Sequence, residues 1–247
     1  MTYVEVFRAR RVLFWFTLGI AAILALALSG IVRSQPHSEM TSGIPVTWLL
    51  GIAVLGPLVV GSCLAGSLSA EGTTLAILWT RPVLRTSIAW QYTAVDLVAM
   101  VISYVVVLLA EIVIIAALGF FQYIRGDSGA AVIVALAFAC SLMLYAYIRL
   151  LSGRLTGRGG IIAGVLWAAM FIIGALSQAP FPEPIHSILI GLDWLSPLSW
   201  LGNIGSEAHT GHTQLIPLSD EWRALVAGVV SIIVLVASVP WWATREA

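Results

Sequence analysis

The reading of this chain turns on residues 70 to 91, AEGTTLAILWTRPVLRTSIAWQ, a charged stretch set between very apolar ones. It holds Glu71, Arg81 and Arg85, yet it is not a plain polar loop. Gly72 breaks from the segment before it, and Thr73 or Thr74 offers a hydroxyl to cap a helix start. Leu75, Leu78 and Trp79 follow at i, i+3 and i+4, which is one apolar stripe. Pro82 ends the pattern, because the residue before a proline avoids helical geometry. The stretch predicts a short amphipathic helix of about two to three turns, too short to cross a membrane that needs roughly 20 apolar residues. Its place is the membrane–water boundary, as a plain connection between spans or as a handle for another protein.

Composition sets the surroundings of that helix. Sixty per cent of the 247 residues are hydrophobic and 10% are charged, with a mean hydropathy of +1.01. A soluble domain carries about 25% charge, so the expected class is all-α and polytopic in a membrane. The formal net charge is zero, which gives no footprint for nucleic acid. All 12 basic residues are arginine. The phosphate-binding loop of an ATPase requires a lysine, so ATP hydrolysis has to come from another polypeptide. Cys63 and Cys140 lie in apolar segments without a Cys-x-x-Cys spacing and read as small buried hydrophobes.

Six spans are expected, at about 12–31, 45–68, 92–118, 130–148, 160–177 and 224–242. A basic amphipathic lead-in, TYVEVFRARR, precedes the first; a retained span fits its length better than a cleaved signal peptide. The second carries Gly51, Gly56, Gly61 and Gly66 with Pro57 among them, a pattern for close helix packing and a kink. The fifth opens on Gly160-x-x-x-Gly164. The fourth and fifth are joined by a short basic connection, Arg149 to Gly159. One long loop, 178–223, contains PIHSILIGLDWLSPLSWLGNI from Pro184 to Ile204. Asp193, Pro197 and Asn203 argue against a seventh span, so two short helical pieces broken at Ser196-Pro197 are expected, dipping toward the membrane from outside.

Arginine placement gives the orientation. With the N-terminus inside, Arg8, Arg10, Arg11, Arg81, Arg85, Arg149, Arg154, Arg158 and Arg245 fall inside and Arg33, Arg125 and Arg223 outside. Nine against three is a positive-inside bias that places both termini in the cytoplasm.

Few side chains in the spans can carry chemistry. Asp96 and Glu111 share the third span, fifteen residues and roughly 60° apart. Asp96 is near enough to the cytoplasmic end to reach headgroups or an inside arginine. Glu111 lies deeper, to be buried at an interface, line a cavity or bind a cation. His37, His186, His209 and His212 fall on the outer side, and His209-Thr-Gly-His212 lacks a third ligand, so no metal site is expected. No span holds a Ser–His pair or His-Glu-x-x-His, so intramembrane catalysis is not expected.

The stretch Glu71-Gly-Thr-Thr-Leu-Ala-Ile-Leu-Trp-Thr-Arg-Pro-Val-Leu-Arg85 resembles the signature of permease subunits of type-2 ABC exporters, which lies between the second and third of six spans. Glu71, Gly72, Thr73, Leu75, Leu78, Arg81, Pro82 and Arg85 match it; Gln91 departs from it, a lysine being usual there. The amphipathic N-terminus with Glu5, Arg8 and Arg11, and Asp193-Trp-Leu-Ser-Pro197 before the last span, look like further elements of that family.

The resemblance implies that the opening helix is a cytoplasmic coupling helix seated in a separate ABC ATPase subunit, which binds ATP and Mg. Glu71, Arg81 and Arg85 are its polar contacts, and Leu75, Leu78 and Trp79 its packing face. Arg149, Arg154 and Arg158 form a second cytoplasmic contact, and Asp193, Trp194, Ser196 and Pro197 an outer gate. It also implies a second permease chain, a cell membrane setting (the bacterial inner membrane) and no cofactor in this chain. The competing class is a proton- or cation-coupled secondary transporter using Asp96 and Glu111; a third is a receptor or assembly factor.

Overall fold

The structure is a computed structural model that describes residues 9–16, 18–20, 23, 44–67, 85–126, 129–152, 158–177, 179, 181–201 and 219–243. These are almost entirely helical. Residues 9–16 and 18–20 form an N-terminal helical segment. The helices that follow are α1 (Val46–Ile52), α2 (Leu55–Ser67), α3 (Arg85–Ala117) and α4 (Ala130–Ser152). After them come α5 (Gly159–Ser177), α6 (Glu183–Asp193), α7 (Pro197–Leu201) and α8 (Asp220–Ala243). Five stretches are long and apolar enough to cross a membrane: Val46–Gly66, Thr86–Ala117, Ala130–Ser152, Gly159–Ser177 and Glu221–Pro240. Such a set is compatible with a multi-pass membrane protein. Most of the first expected span lies outside the described residues, as does the short helix expected to be capped by Thr73 or Thr74 and stopped at Pro82.

Local chemistry explains where the helices break and end. The first of these stretches is interrupted at Ala53–Val54, between α1 and α2. Pro57 has no N–H to give to the Ala53 carbonyl. Gly56 N–H donates to that carbonyl instead, at 3.1 Å, in a tighter turn. The kink expected at Gly56-Pro57 thus appears just ahead of it. The second of them closes on Gly119, whose φ of +81° suits glycine. Phe120 N–H there donates to the Ile115 carbonyl and Gly119 N–H to the Ala116 carbonyl, a Schellman closure. A two-residue parallel pair, β1 (Ile44–Pro45) with β2 (Ile124–Arg125), ties the start of α1 to the turn after α3.

Helix α4 is the centre of the bundle. It packs against α8 along its length and against α2, α1 and α7, and Ala137, Leu144, Tyr145, Ala146 and Ile148 are fully buried. Helix α2 runs antiparallel to α3 and lies close to it. A Cβ on Gly56 would sit 2.8 Å from the Ser103 carbonyl oxygen, and one on Gly61 3.1 Å from Met100 Cε. Gly66 comes as close to Gly159 at the start of α5. Gly160 and Gly164 face open space, so their spacing packs no helix within the described residues. Cys63 and Cys140 are free thiols, half-buried and buried. The outward faces of α3, α5 and α8 carry exposed Val113, Ile161, Phe171 and Ile233, an apolar exterior suited to lipid.

Candidate functional site

The polar chemistry of the described bundle gathers in three places, all organised by α3 or by the short helices α6 and α7. The first lies where α3 begins and α4 ends. Ala89, Thr93 and Asp96 share one face of α3, and Tyr145 and Arg149 stand one turn apart on α4. The Tyr145 hydroxyl donates to Asp96 Oδ2 at 2.8 Å. Arg149 Nη1 donates to the Tyr145 hydroxyl at 2.9 Å and to Thr93 Oγ1, and Nη2 donates to the Ala89 carbonyl at 3.2 Å. The Thr93 hydroxyl also donates to that carbonyl, at 2.8 Å. None of these side chains is more than 1% exposed. Asp96 is thus linked to Arg149 through a tyrosine.

This placement corrects one expectation. Arg149 was to stand on a surface connection as part of a second contact with a partner. The helix instead runs on to Ser152, and the guanidinium lies inside the bundle at 0% exposure. A buried cation needs a compensating anion and hydrogen-bond acceptors; Asp96 supplies the charge, and Tyr145, Thr93 and Ala89 accept from the two Nη groups. Arg158, just before α5, is exposed; Arg154 lies outside the described residues.

The second place is Glu111, toward the other end of α3. It lies on the inward stripe that includes Ser103, Val107 and Ile115 and is 0% exposed. Among the described residues neither carboxylate oxygen has a hydrogen-bond partner. Tyr104, two turns earlier, donates its hydroxyl to the Leu50 carbonyl at 3.0 Å, just ahead of the α1–α2 interruption, and packs its ring 5.0 Å from that of Phe138.

The third place joins α6, α7 and α8. The chain turns at Trp194–Ser196 between the first two, where the break was expected at Ser196-Pro197. Asp193 is fully buried; its Oδ1 accepts from the Ser199 hydroxyl at 2.5 Å, while Oδ2 has no partner among the described residues. Trp200 Nε1 donates to the Trp194 carbonyl at 2.8 Å, and Arg223 Nη1 to the Trp200 carbonyl at 3.4 Å. Asp193, Ser196 and Pro197 are buried together, while Trp194 is 39% exposed. Ser199, Trp200 and the fully buried Arg223 belong to this cluster and were not singled out from sequence. Neither were Thr93 and Tyr145, although Thr93-x-x-Asp96 and Tyr145-x-x-x-Arg149 put each pair on one helix face.

These arrangements hold fixed dipoles and charges. Among the described residues no group of three or more His, Cys, Asp or Glu side chains is placed to hold a metal; His209 and His212 lie outside them. Glu71, Gly72, Thr73, Leu75, Leu78, Trp79, Arg81 and Pro82 also lie outside them, and of Arg85 the backbone is described, opening α3. No family model, curated protein or solved structure matches this chain.

Proposed function

We propose that this chain is the membrane permease subunit of an ATP-driven exporter of the type-2 ABC class. One observation carries the reading: the Glu71-Gly-Thr…Arg81-Pro82…Arg85 pattern between the second and third long apolar segments. A chain without lysine has no phosphate-binding loop of its own, which supports a motor supplied in trans. That motor is an ABC ATPase subunit binding ATP and Mg, and two permease chains face each other in the bilayer. Glu71, Arg81 and Arg85 make the polar contacts of the coupling helix; Leu75, Leu78 and Trp79 pack it. Of the second cytoplasmic contact, Arg158 and Arg154 remain. Asp193, Trp194, Ser196 and Pro197 form an outer gate. ATP-driven closure of the motor moves the coupling helices, and the attached spans alternate their access. The cargo is an amphipathic drug, peptide or lipid-like molecule leaving across a bacterial inner membrane, with both chain termini in the cytoplasm.

Arg81→Glu tests this. Reversing a contact charge at a docked helix costs several kcal/mol through like-charge placement, so the ATPase partner should be lost on purification while the permease keeps its fold. Recovery of the ATPase at undiminished stoichiometry overturns the reading.

A second reading is a proton- or cation-coupled secondary transporter. It is favoured by one observation, the full burial of Asp96 and Glu111 on the same helix. Transport that survives ATP depletion but collapses with a proton ionophore selects it; vanadate-sensitive transport selects the first.

A further inference from the structure

We propose that Glu111 is a proton-binding site: its carboxyl holds a proton while the bundle is closed and releases it to water when the helices around it part. The inference stands apart from the nature of the motor, since it rests on the packing of this chain alone.

Among the described residues the site is closed to solvent and no charged side chain is bonded to it. Glu111 is 0% exposed, and neither of its oxygens has a hydrogen-bond partner among the described residues. An ionised carboxylate in that position is far more costly than a neutral acid, because nothing replaces the water it gave up. Helix α3 runs antiparallel to the α1–α2 stretch, as Tyr104 on Leu50 and Met100 against Gly61 show, and antiparallel to α4, as Thr93 with Arg149, Asp96 with Tyr145 and Tyr104 with Phe138 show. Glu111 therefore stands level with the starts of α1 and α4.

Titratable groups facing it are few. Helix α1 and residues 130–137 of α4 have none. Helix α2 has Cys63 alone, and the ionisable groups of α4 begin at Cys140. On α3 the neighbour is Tyr104, whose hydroxyl is already given to Leu50. Arg125 of β2 is exposed. On α8, Asp220 and Glu221 open the helix, and Arg223 is engaged with Trp200.

A metal ion is a poor occupant, for it asks for several oxygens at once, and no acidic cluster exists among the described residues. A proton asks for one oxygen and no additional room. The position also provides a way to open. Tyr104 holds Leu50 at the last turn of α1, just before the Ala53–Val54 interruption. Discontinuous helices in a membrane are where ion sites gain and lose access. When that joint moves, the carboxyl O–H bond breaks, its electron pair stays on oxygen, and water takes the proton as hydronium; no electron is transferred.

The protein reconstituted in phosphatidylcholine vesicles and treated with dicyclohexylcarbodiimide provides the test. This apolar reagent adds across the O–H of a carboxylic acid in an apolar site. Mass spectrometry should find Glu111 carrying one carbodiimide, with labelling that falls by up to about tenfold per pH unit once the acid titrates. A water-soluble carbodiimide should leave Glu111 unmodified, and Glu111→Gln should remove the adduct and keep the thermal stability of the parent. No adduct on Glu111 in mildly acidic buffer overturns the proposal, as does equal labelling by the soluble reagent. A marked loss of stability in Glu111→Gln also overturns it, because it means that the charged form was held by a partner.

Discussion

Arg149 is a guanidinium wholly inside a membrane helix bundle, and its neighbours explain how it stays there. Asp96 provides the opposite charge, and Tyr145 lies between the two as donor to one and acceptor from the other. The guanidinium also lies 5.7 Å over the Tyr145 ring, a cation–π placement. Removing one partner of such a pair leaves the other buried and uncompensated. Arg149→Met should therefore lower stability by about 3–5 kcal/mol. Replacing both ends together, Arg149→Met with Asp96→Leu, should recover much of that loss, because neither charge is then stranded. Unfolding of the four members of this cycle in mixed micelles measures the coupling, expected at about 0.5–3 kcal/mol for groups in one network. Additive losses in the double variant would show that the network does not act as a unit. The charge of Arg149 was legible in the sequence as the end of a span; its burial was not. Its partners Thr93 and Asp96 stand more than fifty residues earlier in the chain, and one-dimensional hydropathy has no means of pairing them.

At the scale of the elements, α2 and α3 are held close by glycine. The row Gly56, Gly61 and Gly66 was legible as a packing stripe, and the structure puts α3 under the first two and the start of α5 under the third. The row Gly160-x-x-x-Gly164 had the same look and meets nothing among the described residues, since sequence spacing does not say which side of a helix faces a neighbour. Helix ends were legible where the chemistry is local, as at Gly119. They were not legible where charge intrudes: α3 begins at Arg85 where a span was expected from Tyr92, and α4 ends at Ser152 where one was expected to end at Ile148. Gly56→Ala puts a methyl 2.8 Å from a backbone carbonyl that cannot rotate away. It should cost about 1–3 kcal/mol through displacement of α2 from α3. Gly228→Ala in α8 meets open space and should be neutral or stabilising by up to about 1 kcal/mol, since alanine is the better helix former. Thermal melts of the two variants in the same lipid or detergent check the contrast, and equal shifts would contradict the close approach of α2 and α3.

At the scale of the whole molecule, the question is which parts stand on which side of the bilayer. The buried Arg149 and Arg223 are bonded inside the bundle and no longer count toward a surface bias. Setting them aside leaves eight arginines against two, so the expected orientation does not depend on the two positions that sequence placed on loops. Helix α5 is the cleanest segment on which to test it. It runs from Gly159 to Ser177, about 28 Å at 1.5 Å per residue, close to the roughly 30 Å of a hydrocarbon core. Arg158 and Glu183 flank it and both are exposed. In a background where Cys63 and Cys140 are replaced by alanine, a cysteine at position 158 should react with an impermeant maleimide only when the cytoplasmic face is presented. A cysteine at position 183 should react only from the opposite face. Reversal of both would turn the molecule over and put residues 70–91 on the wrong side for any cytoplasmic motor. Reaction of both from one face would mean that α5 does not cross, and that the long loop holding Asp193 and Ser196 shares a side with Arg158.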